Sequence, residues 1–158
     1  MAARRIAGDK APASLAFLLS QVGIHASRRF AERLDAIDLQ PPLFRVLNVV
    51  DAVEGESQQA IGEAIGAPAS RMVAIVDELE RRGLVERRPH PSDRRVRALH
   101  LTGEGRRLLA RGRKIAAEHE EELARGLSDA ERKRLTLLLQ KLGAEQGLGR
   151  GVHPGLSR

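Results

Sequence analysis

The sequence predicts a mainly α-helical chain that carries one small β-hairpin. Three observations predict it. Apolar residues recur at three- and four-residue steps along most of the 158 residues. Capping and stopping residues divide that periodicity into separate segments. Only two short runs, 84–88 and 96–101, have the composition of strands, and a proline-bearing link joins them.

The elements follow in order. Residues 1–12 hold Arg4, Arg5 and Lys10 without periodicity and read as a flexible basic arm. From Ser14 to about Asp38 a long helix is expected, its apolar row running through Leu15, Leu18, Val22, His25 or Ala26, Phe30, Leu34 and Ile37. Pro41 and Pro42 open a second helix, since proline is tolerated in a first turn. Leu43, Phe44, Val46, Leu47, Val49 and Val50 make it apolar nearly all round, as a buried helix is.

Glu54-Gly55-Glu56 breaks that helix, and Ser57 caps a short third one holding Ala60, Ile61, Ala64 and Ile65. Gly66 ends it in a tight turn, and Pro68 takes the first position of a fourth. The stripe Met72, Val73, Ile75, Val76, Leu79 ends at Gly83, placed to leave the helix in the left-handed conformation. Three helices followed by a hairpin give the outline of a winged helix-turn-helix over 41–102.

Thr102 caps a long fifth helix reaching about Leu123, with Leu108, Gly112, Ile115, His119 and Leu123 on one side. Gly112 in that row admits close approach by another helix. Ser128 and Glu131 form a capping box for a last helix carrying Leu135, Leu138, Leu139 and Leu142. Residues 146–158 are glycine-rich and read as a disordered tail.

Composition narrows the chemistry. Hydrophobic residues at 42% suffice for a core. Three Phe with no Trp or Tyr exclude a base-stacking platform. The absence of Cys excludes disulfides, thiolate metal sites and thiol redox sensing. No apolar run reaches membrane length and no secretory h-region is present, so a soluble cytoplasmic protein without a membrane partner is expected. No nucleophile elbow, phosphate loop or metal motif occurs, so neither enzymatic activity nor a cofactor is expected.

Net charge is +6 and the isoelectric point about 10.8, a balance that favours anionic partners. Seven arginines fall within residues 81–97, opposed only by Glu86 and Asp93. A winged helix-turn-helix needs positive charge there if its partner is double-stranded DNA. The fourth helix would enter the major groove with its N-terminal residues toward the base edges. The arginine-rich tip would reach the adjacent minor groove or its phosphates.

On this reading Arg94 makes the groove contact, and Asp93 holds Arg95 or Arg97 in a bidentate pair that shapes the tip. Arg87 and Arg88 extend the basic surface along the first strand. Ser70 is either a base contact or a local cap, and Arg71 either a phosphate contact or a base reader. A basic wing docked on an acidic protein is the competing expectation.

The stretches LQPPLFRVLNVV, AIGEAIGAPASRMVAIVDELERRGLVERR and HPSDRRVRALHLTGEGRRLL resemble the MarR family of bacterial transcriptional regulators, over about residues 14–143. The resemblance implies a homodimer in which 14–38 and 103–145 form a helical dimerisation region. It implies binding to a pseudo-palindromic operator, usually as a repressor, with release by a small molecule. By matching positions it sets Ser70 and Arg71 on the recognition helix, and Asp93, Arg94 and Arg95 on the wing. Where relatives carry polar side chains along the recognition helix, this chain has Pro68, Ala69, Val73 and Ala74, so specificity would lean on the wing and on DNA shape.

Effectors in such a family are often small aromatic acids, held where the first, second and fifth helices meet the DNA-binding lobe. Ser20, Gln21, His25, Phe44 and Asn48 are the candidates to line that pocket. His25 and, on the apolar side of the fifth helix, His119 also suit a satisfied core or interface histidine, and Asn48 an amide bonded to backbone. His119 and the following Glu120, Glu121 and Glu122 read as a solvated face rather than a zinc site.

Overall fold

The computed structural model describes residues 14–89 and 96–148. The basic arm, the wing-tip residues Asp93, Arg94 and Arg95, and all of the expected tail beyond Leu148 lie outside the described residues. Among the described residues six helices and one hairpin follow in order: α1 (Leu15–Asp35), α2 (Pro41–Ala52), α3 (Gln58–Ile65), α4 (Ala69–Arg81), β1 (Val85–Pro89), β2 (Arg97–Leu101), α5 (Gly103–Leu123) and α6 (Asp129–Glu145). The fold class is the expected one, a winged helix-turn-helix between long helices. Among the described residues no helix is long and apolar enough to cross a membrane.

Local chemistry sets most boundaries. The hydroxyls of Ser14, Ser57, Thr102 and Ser128 each accept from a backbone N–H three residues on, satisfying a donor that a helix start would leave unpaired. Ser128 and Glu131 complete a reciprocal capping box. Pro68 is the cap of α4 rather than its first residue, and Ala69 starts the helix. At the far end Gly83 has φ +66°; its N–H donates to the Glu80 carbonyl (2.9 Å) and that of Leu84 to the Leu79 carbonyl (2.9 Å). This double closure turns the chain directly into β1. Gly147 and Leu148 close α6 in the same way, onto the Ala144 and Gly143 carbonyls.

β1 and β2 pair antiparallel, from Val85 opposite Leu101 to Pro89 opposite Arg97. A third segment flanks them. Gly55 N–H donates to the Leu99 carbonyl (3.1 Å) and Leu99 N–H to the Glu56 carbonyl (2.9 Å), so the outer edge of β2 is partly covered.

One core holds the lobe together. Leu43, Val46, Leu47 and Val50 of α2 meet Ile61 and Ile65 of α3, Met72, Ile75, Val76 and Leu79 of α4, and Leu99 of the hairpin, all buried. Burial of each such side chain contributes about 1.5–3 kcal/mol, far above any surface ion pair in the molecule. Leu34 and Leu39 from the α1–α2 corner and Leu108 and Leu109 from α5 join the same cluster.

α5 is seated by two glycines. A Cβ on Gly105 would stand 2.0 Å from the Leu84 carbonyl oxygen, so only glycine allows the start of α5 to lie on the chain entering β1. At Gly112 the intruding group is the Phe44 ring, which occupies the space a side chain would take. The close approach expected at Gly112 is therefore made by α2, through an aromatic ring. α6, by contrast, buries no residue.

Candidate nucleic-acid interface

The first turns of α4 expose Ala69, Ser70, Val73 and Ala74, while Met72, Ile75, Val76 and Leu79 hold the opposite side in the core. Helical spacing carries the exposed stripe on from Ser70 through Ala74 to Asp77. Arg71 stands at the border between the two sides, half-buried. The only hydroxyl on this face of the first turn and a half is Ser70, as expected from the run Pro68, Ala69, Val73, Ala74.

Beside α4 the hairpin presents Arg88 and Arg97, both exposed. Arg88 pairs with Glu86 on its own strand. Arg87 points the other way. Its guanidinium turns back to Asp77 (2.5 Å) and Glu80 on α4 and to the Gln58 amide oxygen on α3 (3.1 Å), and its side chain is only 23% exposed. Burial opposes its charge, but the hydrogen bond it donates to Asp77 and the field of Glu80 outweigh that, so its affinity for the proton is raised. Sequence reading placed Arg87 on the basic surface and did not single out Asp77 or Glu80. Two carboxylates on the groove-side helix of a basic segment were the available signal.

The base of the lobe is tied to its neighbours by further arginines. Arg82 donates to the Asp38 carbonyl (2.5 Å) and carboxylate (3.0 Å), linking the end of α4 to the α1–α2 corner, where Asp38 sits at φ +54°. Arg106 bonds Glu54 (2.6 Å) and Asp51 (3.3 Å), and Arg113 bonds Asp51 (2.8 Å) and the Asn48 amide oxygen (2.9 Å). The Arg106 guanidinium, against a smaller cost of burial, holds the Glu54 carboxyl below the usual range. These contacts fix α5 against α2 as a network, where isolated exposed pairs would contribute little.

The five expected pocket residues divide into two groups. Ser20, Gln21 and His25 lie exposed along α1, whereas Phe44 and Asn48 are half-buried on α2. Asn48 donates to the Phe44 carbonyl (2.9 Å) and accepts from Arg113, which is the backbone-bonded alternative. Phe44 belongs to an aromatic cluster: Phe30 meets it edge-on at 5.7 Å and stacks on His119 at 5.4 Å. His119 is thus half-buried against a ring, and not part of a solvated face. An open groove of about 700 Å³ lies elsewhere, between α1, the end of α5 and the start of α6, lined by charged groups such as Arg33, Glu121, Glu122 and Arg132.

Burial, with a smaller contribution from Arg33, lowers the proton affinity of His119 below the ordinary imidazole range. The unfolded chain then takes up a proton before the native state does, so stability is full above the ordinary pKa of about 6.5 and falls as pH drops through it. Thermal melts between pH 8 and 5 should show that decline, and His119→Phe, which keeps the stack, should flatten it. An unchanged pH profile in the variant would remove His119 as the cause.

Large apolar side chains remain exposed outside the lobe: Leu15, Phe17, Leu18, Val22 and Ile24 on α1, and Leu135, Leu137, Leu138 and Leu139 on α6. Exposed apolar side chains in such number are a feature of association surfaces.

Comparison with known proteins agrees with this architecture. A sequence profile of the MarR family matches residues 37–96. The putative transcriptional regulatory protein for the hcr operon of Thauera aromatica is 36% identical over 129 residues, 81% of this chain and 78% of that protein. Among solved structures, the transcriptional repressor CouR bound to a 23-mer DNA duplex is similar with a TM-score of 0.75 at 34% identity, covering 82% of this chain and 92% of that one. CouR bound to p-coumaroyl-CoA gives a TM-score of 0.72 at 31% identity, over 82% and 91%.

Proposed function

The chain belongs to the MarR family of transcriptional regulators, and from that premise we propose that it represses transcription as a homodimer on a pseudo-palindromic operator. The observation that carries the reading is the pairing of an outward α4 face, Ser70 to Ala74, with a hairpin exposing Arg88 and Arg97 beside it. Ser70 and Arg71 meet the major groove, Arg88, Arg94, Arg95 and Arg97 serve the flanking backbone and minor groove, and Asp93 holds Arg95 or Arg97 to shape the tip. Exposed leucines of α1 and α6 supply the twofold contact that sets two such lobes on one duplex.

The likeness to a repressor solved with p-coumaroyl-CoA supports an effector that joins an aromatic ring to an acid or its thioester. Phe44 and Asn48 would take part on the α2 side, and Ser20, Gln21 and His25 on the α1 side. Occupation there would change how α1 and α5 carry the lobe, and so release the operator.

The test is titration onto the DNA upstream of the chain's own gene at several salt concentrations. Two lobes read half-sites about 10 bp apart, and six phosphate contacts give a slope near −5 in log K against log salt, as an order of magnitude. Salt-insensitive binding, or no duplex binding even in dilute buffer, would overturn the reading.

A further inference from the structure

We propose that Arg87 serves operator binding without touching DNA, by masking the two carboxylates that α4 turns toward the duplex. The inference rests on the operator reading above and assigns one residue within it. Asp77 continues the exposed Ser70–Ala74 stripe one turn on, and Glu80 follows three residues later; their side chains are 57% and 42% exposed. A recognition helix that presents two anionic groups to a polyanion opposes its own docking. Arg87 answers both. It reaches from β1 to Asp77 at 2.5 Å and to Glu80, and a further N–H holds Gln58 of α3 at 3.1 Å.

The geometry suits a guanidinium and no other cation. Its planar fork donates along several directions at once, so one side chain satisfies two carboxylates and an amide from two helices. A lysine ammonium, a point charge on a flexible stem, would not hold that set. With its donors committed inward and its side chain 23% exposed, Arg87 is a positioning residue. Arg88, its exposed neighbour, faces outward.

A double-mutant cycle on operator binding separates this role from a phosphate contact. Arg87→Gln should weaken binding about tenfold, because the carboxylates are unmasked. Asp77→Asn with Glu80→Gln, in the presence of Arg87, should change affinity by less than about threefold. Combining all three substitutions should recover most of the loss, since no carboxylate then needs masking. Thermal melting of each variant runs in parallel, and recovery of affinity without recovery of melting temperature separates masking from a purely structural role.

If Arg87 instead meets a phosphate, the losses will add, the triple variant will stay as weak as Arg87→Gln, and the proposal is overturned. The same holds if affinity in every variant merely tracks melting temperature. Wild-type protein that binds no duplex overturns the operator reading as well; additive losses in a protein that does bind overturn only the masking role.

Discussion

Gly105→Ala is expected to destabilise the protein by about 2–3 kcal/mol, the upper range for forcing a methyl group into a packed site. The methyl carbon would arrive 2.0 Å from the Leu84 carbonyl oxygen and 2.9 Å from its carbon. Neither side can yield cheaply. The Leu84 carbonyl already accepts the Thr102 N–H (3.1 Å), and the Leu84 N–H is committed to the Leu79 carbonyl (2.9 Å). Relief therefore requires moving the start of α5 off the hairpin, which would also disturb Leu108 and Leu109 in the core. For a chain of this size that cost lowers the midpoint of thermal unfolding by roughly 5–10 °C. Gly103→Ala is the control, because the nearest atom to its added methyl is the mobile tip of Arg107 at 3.6 Å. If both variants melt with the wild type, the close seating of α5 on Leu84 is wrong.

The second large effect concerns assembly. Leu135→Glu combined with Leu138→Glu should give a folded monomer whose operator affinity is at least about a hundredfold weaker. Two linked lobes bind the second half-site as an intramolecular event, and losing that linkage commonly removes a factor of 10² to 10⁴. Both leucines are about half exposed in the single chain, and α6 contributes nothing to the lobe's core, so helical content and the lobe itself should survive. Sedimentation gives the mass, circular dichroism the helicity, and a duplex titration the affinity. A double variant that remains dimeric with full affinity would place the twofold contact elsewhere.

The elements were legible in the sequence because their boundaries are written in local chemistry. Ser57, Thr102 and Ser128 needed only their own helix starts to act as caps, and Gly83 only its own turn. The order of three helices and a hairpin followed from those boundaries, and the stretch ELERRGLVERR carried the family resemblance. Contacts that join residues distant in sequence were not legible. Arg87 was read by its charge, as part of a basic surface, although its partners lie on α3 and α4. Asn48 suits a pocket or a backbone group by its sequence position; the Phe44 carbonyl takes its amide N–H, the backbone-bonded alternative, and Arg113 its oxygen. His119 suits a core histidine by its apolar row and a solvated face by its acidic neighbours, and it is Phe30, across the α1–α5 seam, that decides for the first. Gly105 carries no local signal, since nothing near it in sequence reveals that Leu84 backbone lies against it. The same holds for the candidate effector residues: Ser20, Gln21 and His25 share a helix, but helical periodicity alone does not say what faces them.

α5 has a mechanical consequence of its own. Its 21 residues span about 30 Å. One end is wedged into the lobe by Gly105, Leu108 and Leu109, and ionic clasps along the next turns leave no joint there. The other end, where Leu123 is exposed, is tied to the start of α6 by Arg132 on Glu121 (2.9 Å). Treated as a rigid rod, α5 tilted by about 5° at its far end displaces the lobe by roughly 3 Å, simple leverage over that length. That is comparable to the rise between successive base pairs, so, on the function proposed above, a ligand pressing on the rod would need to shift it only slightly to throw the reading head out of step with its groove.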